Sequence, residues 1–352
     1  MTRDHYLTLD AARGVAALLV LLTHIGFFLG FPFLKGGYLA VDFFFLLSGF
    51  VVAAAYERRL RGGGMRFLGF AAVRLRRLYP LYIAGTLLGA VRLFLVPAFA
   101  GKLLHDPSGL ITAFVAALVM LPGRVRGMTE LFPFNGPSWS LFFEVVANAA
   151  YGLIARWLST GVLIAIVALG LAGCLLMVVD INSLGGGPRW PTLPWGFARV
   201  ALSFFGGVLI FRLRGGKPPK PSNAGALAVL ALLAAGLFAV PGANPWDLAP
   251  VLLLFPALVW FGAAVQPTGW LAAVATRAGP WSYALYATHI PIMDLLGRAL
   301  LRAHISKPMT AAILILVCSF AAWLADRFWD VPIRRWLAER RRTRAARLAL
   351  EP

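Results

Sequence analysis

The chain has 352 residues, 60% of them apolar or aromatic and 13% charged, with a mean hydropathy of +0.79. A soluble fold has too little interior to hide that much apolar surface, so the exterior must face lipid, which excludes a soluble enzyme or a secreted domain. The 33 Lys+Arg against 14 Asp+Glu leave a net charge of +19, which in a membrane protein speaks first of topology, and no nucleic-acid partner is expected.

A hydrocarbon layer about 30 Å thick needs roughly 20 apolar residues per helix. Runs of this kind fall near 9–30, 38–56, 78–96, 110–121, 137–155, 161–179, 194–211, 224–241, 248–265, 281–300 and 309–326. The first is read as a retained helix, because 14–34 has no convincing small-residue cleavage site. Segment 57–77 carries seven arginines against Glu57, and the tail from Arg327 carries eight. The positive-inside rule places both in the cytoplasm, so both termini are cytoplasmic and the number of crossings is even. The weakest run, 110–121, ends at Leu121-Pro122-Gly123 and is read as re-entrant or interfacial, leaving ten spans. On that count the inner loops and ends hold 22 Lys/Arg and the outer loops seven. The expected fold is therefore an all-α polytopic bundle of about ten spanning helices. Its organisation is a membrane domain over 1–330 and a basic cytoplasmic tail helix over 331–352, on anionic headgroups. Cys174 and Cys318 sit in apolar runs without metal or redox spacing, and neither a disulfide framework nor a metal is expected.

Charge inside apolar runs is costly and demands a partner or a purpose. In the first span Arg13 and His24 are eleven residues apart, which at about 100° per residue puts them on one face, about 16 Å apart along the axis. Asp10 lies three residues before Arg13 on nearly the same line. Counting in from the outer ends of their spans, His24, Asp42 and Glu144 fall in one layer about 5 Å thick. A histidine and two carboxylates at one depth suit an acid–base set in which a carboxylate orients the ring. The plainer alternative is that Asp42 and Glu144 neutralise Arg92 or Arg199. Near the inner surface Arg74 and Arg77 share a helix face, with Arg76 beside them and Tyr79-Pro80 following; two guanidinium forks there suit a phosphate, although a topology loop has a similar look.

These pieces together resemble the acyltransferase-3 family of membrane O-acyltransferases. The matching stretches are Leu9 to Ala17 with His24, Gly36 to Phe50, Arg74 to Pro80, Asn135 to Leu141 with Glu144, Ser282 to Pro291, and Trp329-Asp330-Val331-Pro332. They run in order over nearly the whole chain. One departure is Asp330 where the family usually has Glu before its closing Val-Pro step, and no esterase-like domain follows residue 352, so a stand-alone acyltransferase is expected.

The resemblance implies transfer of an acyl group, usually acetyl, from cytosolic acyl-CoA to a hydroxyl of a carbohydrate, glycolipid or similar acceptor. It makes Arg13 and His24 the family's arginine–histidine pair, and Arg74 and Arg77 its donor site. Added to the residue chemistry, this gives His24 as general base or acyl carrier with Glu144 or Asp42 orienting it. Arg13, Arg74, Arg76, Arg77 and Tyr79 become donor contacts, and Asn135, Ser138, Trp139 and His289 candidates on the acceptor side. The expected partners are membrane lipid, acyl-CoA and the acceptor. The main rival is a proton-coupled transporter or flippase of envelope precursors, since intramembrane His, Asp and Glu also form proton relays.

Overall fold

The computed structural model describes residues 6–242 and 244–348. Every apolar run forms helix: α1 Leu7–Leu29, α2 Ala40–Arg61, α3 Phe67–Leu95, α4 Pro97–Leu103, α5 Pro107–Leu118, α6 Ser138–Ile154, α7 Thr160–Ile181, α8 Leu193–Arg214, α9 Asn223–Ala239, α10 Phe255–Gly262, α11 Gly269–Arg302, α12 Lys307–Ala325 and α13 Val331–Leu348. A π-helical turn, Pro250–Leu254, leads into α10, and another, Asp326–Asp330, joins α12 to α13. Among the described residues the strand content is one two-residue parallel pairing, Lys220–Pro221 with Val265–Gln266. Seven helical stretches are long and apolar enough to cross a bilayer. α6 and α9 have 17 residues each, and α11 has 34. Side chains such as Leu169, Leu176 and Val179 point outward from α7, as a lipid-facing helix requires. The architecture is an all-α polytopic membrane bundle.

Three boundaries differ from the sequence reading. The arginine segment is not a loop: α3 begins at Phe67, so Arg74, Arg76 and Arg77 ride on its early turns and only residues 62–66 are loop and turn. Arginine is a good helix former and nothing between Arg66 and Pro80 breaks the helix. α11 likewise starts at Gly269 rather than 281, carrying Pro280 and Pro291 inside it. The run near 110–121 forms α5, whose 12 residues span about 18 Å, less than a bilayer core. The expected tail helix is α13 as far as Leu348; residues 349–352, like 1–5, lie outside the described residues.

Packing follows two groups. α1 runs beside α11, which also packs on α12 and α3; α2 packs on α8, which also packs on α7. α6 bridges the groups through α3 and α8. Small residues let the backbones approach, the usual membrane solution where apolarity alone does not drive helices together. A Cβ on Gly49 of α2 would overlap the Phe204 carbonyl of α8, so that crossing admits only glycine. A Cβ on Gly14 of α1 would lie 2.9 Å from the Ala278 side chain of α11, which fixes the register of the two helices that carry histidines.

Candidate active site

A cavity of about 1680 Å³ lies between the two groups, lined by α1, α2, α3, α6, α8, α11 and α13. That exceeds the roughly 300–1,000 Å³ of a small-molecule pocket. Its lining holds nine arginines and three carboxylates, so the cavity is a cationic well. On α2 the lining runs from Val41 to Arg61, twenty residues apart, a run of about 30 Å of helix.

Arg74 and Glu144 face each other across this cavity at 3.2 Å. Arg74 also donates from Nε to Asn148 Oδ1 at 2.9 Å, while Ser48 donates to Glu144 Oε1 at 2.6 Å. Glu144 thus holds the arginine rather than the histidine. The one-layer expectation is not met: Ser140, one turn earlier on α6, is the residue level with Tyr286, whose hydroxyl it bonds at 2.6 Å. Glu144 is accordingly level with Ser48, six residues along α2 from Asp42. Arg77 lies 3.7 Å from Asp330 and stacks over Tyr283 at 5.4 Å, and Asp330 also takes Arg334 at 2.7 Å. Trp329 donates its indole N–H to the Pro80 carbonyl at 2.7 Å. The arginine stretch and the closing Trp-Asp-Val-Pro stretch, 250 residues apart in sequence, are therefore one structural unit. Arg13 and Arg76 line the cavity; Arg76 Nε donates to the Ala72 carbonyl of its own helix at 2.9 Å. Tyr79 does not line it: its hydroxyl turns to the Leu118 carbonyl at 2.8 Å and pins α5.

His24 meets a second imidazole. His289 Nε2 lies 3.2 Å from His24 Nδ1, with ring centroids 5.0 Å apart. His289 Nδ1 reaches only the carbonyls of Leu285 and Tyr286, at 2.9 and 3.0 Å, so it carries the proton and its Nε2 is an acceptor. His24 Nδ1 then donates, shared between His289 Nε2 and the Val20 carbonyl at 3.0 Å. The consequence is chemical: the lone pair of His24 sits on Nε2. Among the described residues no carboxylate ion-pairs with either ring. The cavity stops one side chain short of the pair, at Tyr286, whose ring is 6.1 Å from His289 and 5.6 Å from Phe44.

The remaining expected site residues serve the frame. Asp42 is buried against Arg199 by two bonds, 3.1 Å from Nε and 2.7 Å from a terminal nitrogen, so it neutralises a helix partner instead of orienting His24. Arg92 is answered by Asp294 at 3.2 Å. Asn135, expected to touch the acceptor, donates at 2.8 Å to the Ala287 carbonyl. Pro291 lacks an N–H, which leaves that carbonyl without its helical partner, so Asn135 repairs the kink. Ser138 is buried, and Trp139 is half-buried beneath Arg199 at 5.3 Å and against Phe143. Sequence reasoning gave no role to Ser48, Ser140, Asn148, Tyr283 and Tyr286. Only the last two carried a signal: the i, i+3 spacing of Tyr283, Tyr286 and His289 puts all three on one face.

The fold and the site together are those of a polytopic membrane bundle whose arginine-lined cavity ends beside an imidazole pair. The family model described as an acyltransferase domain, acyltransferase-3, matches residues 6–325, and the chain belongs to that family. Among curated relatives, protein 2 in the picA locus of Rhizobium radiobacter is 39% identical over 165 residues, 44% of this chain and 83% of the relative. Acyltransferase MdmB of Streptomyces mycarofaciens is 27% identical over 87% of this chain and 83% of its own length. The exopolysaccharide production protein ExoZ of Rhizobium meliloti (strain 1021) is 26% identical over 85% of this chain and 90% of its own length. No solved structure matches the chain. The protein is a multi-pass membrane acyltransferase.

Proposed function

We propose that the protein moves an acyl group, acetyl in the simplest case, from cytosolic acyl-CoA to a hydroxyl of a carbohydrate or glycolipid acceptor. The observation that carries this reading is the long cationic cavity that leads from an arginine-rich mouth to Tyr286, the tyrosine beside His289 of the imidazole pair. Its shape suits a donor with a phosphorylated head and a long slender arm. Arg74, Arg76 and Arg77 meet the diphosphate oxygens inside the mouth, and Arg13, which lines the same cavity, adds a further positive charge beside the donor. Both termini and the mouth face the cytoplasm, following the excess of arginine there. The ExoZ likeness supports a carbohydrate acceptor.

With the donor seated, rotation of Tyr286 away from Ser140 joins the cavity to the imidazole pair. His24 Nε2 takes the proton from the acceptor hydroxyl as its oxygen attacks the thioester carbonyl carbon. The tetrahedral intermediate then breaks its C–S bond, and the leaving thiolate receives that proton from the imidazolium. The Nδ1 bond to His289 holds the ring in the tautomer this step needs.

The test is transfer of labelled acetyl-CoA to envelope extracts by purified, lipid-reconstituted protein, with the product identified by mass spectrometry. His24→Ala is expected to lower turnover about 10²–10⁴-fold with donor affinity retained. Arg74→Gln is expected to raise KM for acetyl-CoA about ten- to a hundredfold, the worth of a charge-assisted bond to phosphate. A folded His24→Ala protein with parental turnover refutes the assignment.

A further inference from the structure

Arg212, at the end of α8, lines the same cavity but lies outside every motif discussed above. Its side chain is only 10% exposed, and its Nε donates to Glu57 Oε1 at 2.6 Å. Both terminal guanidinium nitrogens are buried and find no hydrogen-bond partner among the described residues. Leaving buried charged donors unsatisfied is expensive, and Glu57 offers a single further unpartnered oxygen, Oε2, against these two nitrogens. Arg61 approaches the same Glu57 oxygen at 3.4 Å, so one carboxylate is set against two guanidinium groups and the cluster stays cationic. The neighbouring Gly215 and Gly216 also line the cavity and leave this rim open.

The cluster is a second station, separate from Arg74. Arg74 is tied to Glu144, which is bonded to Ser48 of α2, whereas Arg212 is tied to Glu57 of the same helix. Nine residues of helix separate Ser48 from Glu57, about 13 Å. The order along the cavity, from the imidazole end to the mouth, is therefore Arg74 and then Arg212. An acyl-CoA threaded with its thioester inward presents its phosphates in a matching order, diphosphate first and ribose phosphate nearest the mouth. We propose that Arg212, flanked by Arg61, is the site for the ribose phosphate of the donor, which lets the enzyme distinguish CoA thioesters from those lacking that group. This inference rests on the acyl-CoA reading above.

The experiment compares acetyl-CoA with acetyl-dephospho-CoA, which lacks the ribose phosphate, on the reconstituted parent, Arg212→Gln and Glu57→Gln proteins. Thermal transitions establish that each is folded. Arg212→Gln is expected to raise KM for acetyl-CoA about ten- to a hundredfold and to leave KM for acetyl-dephospho-CoA at the parental value. Glu57→Gln cuts the same ion pair but spares the guanidinium, and should keep the parental preference for acetyl-CoA. If both variants weaken both donors equally, Arg212 is only a tie between helices and the proposal is overturned. Equal loss on both donors with Arg212→Gln alone also overturns it, because the contact is then not to the ribose phosphate. A parent that uses both donors, with an indifferent Arg212→Gln, overturns this inference and leaves the acyl-CoA reading standing. A parent that binds neither donor overturns both.

Discussion

Replacing His289 by Phe removes the acceptor 3.2 Å from His24 Nδ1 and keeps a ring of similar breadth in a fully packed position. The Nδ1 proton is not orphaned, because the Val20 carbonyl remains at 3.0 Å. The loss is therefore one neutral hydrogen bond of about 1–1.5 kcal/mol, not the larger penalty of a stranded buried donor. At 1.4 kcal/mol per tenfold, kcat should fall about tenfold, far less than for His24→Ala, with KM for acyl-CoA unchanged. His289→Gln, which can still offer an oxygen, should recover most of the rate. Steady-state acetyl transfer with the three proteins, each checked for a parental thermal transition, measures this directly. A His289→Phe protein as inactive as His24→Ala would mean that His289 itself handles the transferred proton or acyl group. Parental kcat would mean that the ring pair is packing alone.

Two further outcomes follow from the frame and the loop. Asp42→Asn leaves Arg199 charged and buried without its counterion, and should destabilise the protein by about 3–5 kcal/mol in a denaturation measurement; Asp42→Asn with Arg199→Met should regain a good part of that. Asp106, which caps α5, accepts from the backbone N–H groups of Arg126 and Gly109, and these bonds hold its carboxyl below the ordinary carboxylate range. A depressed folded pKa gives stability that is present at neutral pH and fades as pH drops below the usual carboxylate pKa through the folded one. The segment 104–128 should thus be better protected from proteolysis and hydrogen exchange at pH 5 than in strong acid, whereas Asp106→Asn, which has no carboxylate to protonate, should show weaker protection at pH 5 and no such fall in acid.

The sequence made the helices legible because bilayer thickness imposes a length that apolar runs reveal directly. Within one helix the spacing was legible: Arg74 and Arg77, read as sharing a face, both line the cavity, as does Arg13, whereas His24 lies beyond its end. The site was not legible where two distant segments decide the geometry. Depth counting from helix ends put Glu144 in one layer with His24 and Asp42, but the packing of α6 sets Ser140 against Tyr286 and Glu144, one turn further on, against Arg74 and Ser48. Asn135 reads as a polar group at a mouth, and only the position of Pro291 on another helix explains it. His289 sits in a recognisable stretch, but its meeting with His24 depends on α1 and α11 running side by side, which no spacing within either helix encodes.

That side-by-side course depends on smallness far from the chemistry. Gly14 touches Ala278 ten residues before His24 and eleven before His289, so this abutment sets how far apart the two rings stand. A methyl group added there would act as a wedge, prying the rings apart without approaching donor, acceptor or either imidazole. Natural variation at this abutment is thus expected to be confined to the tiniest side chains, and an engineer who fills it for stability will slow the enzyme instead.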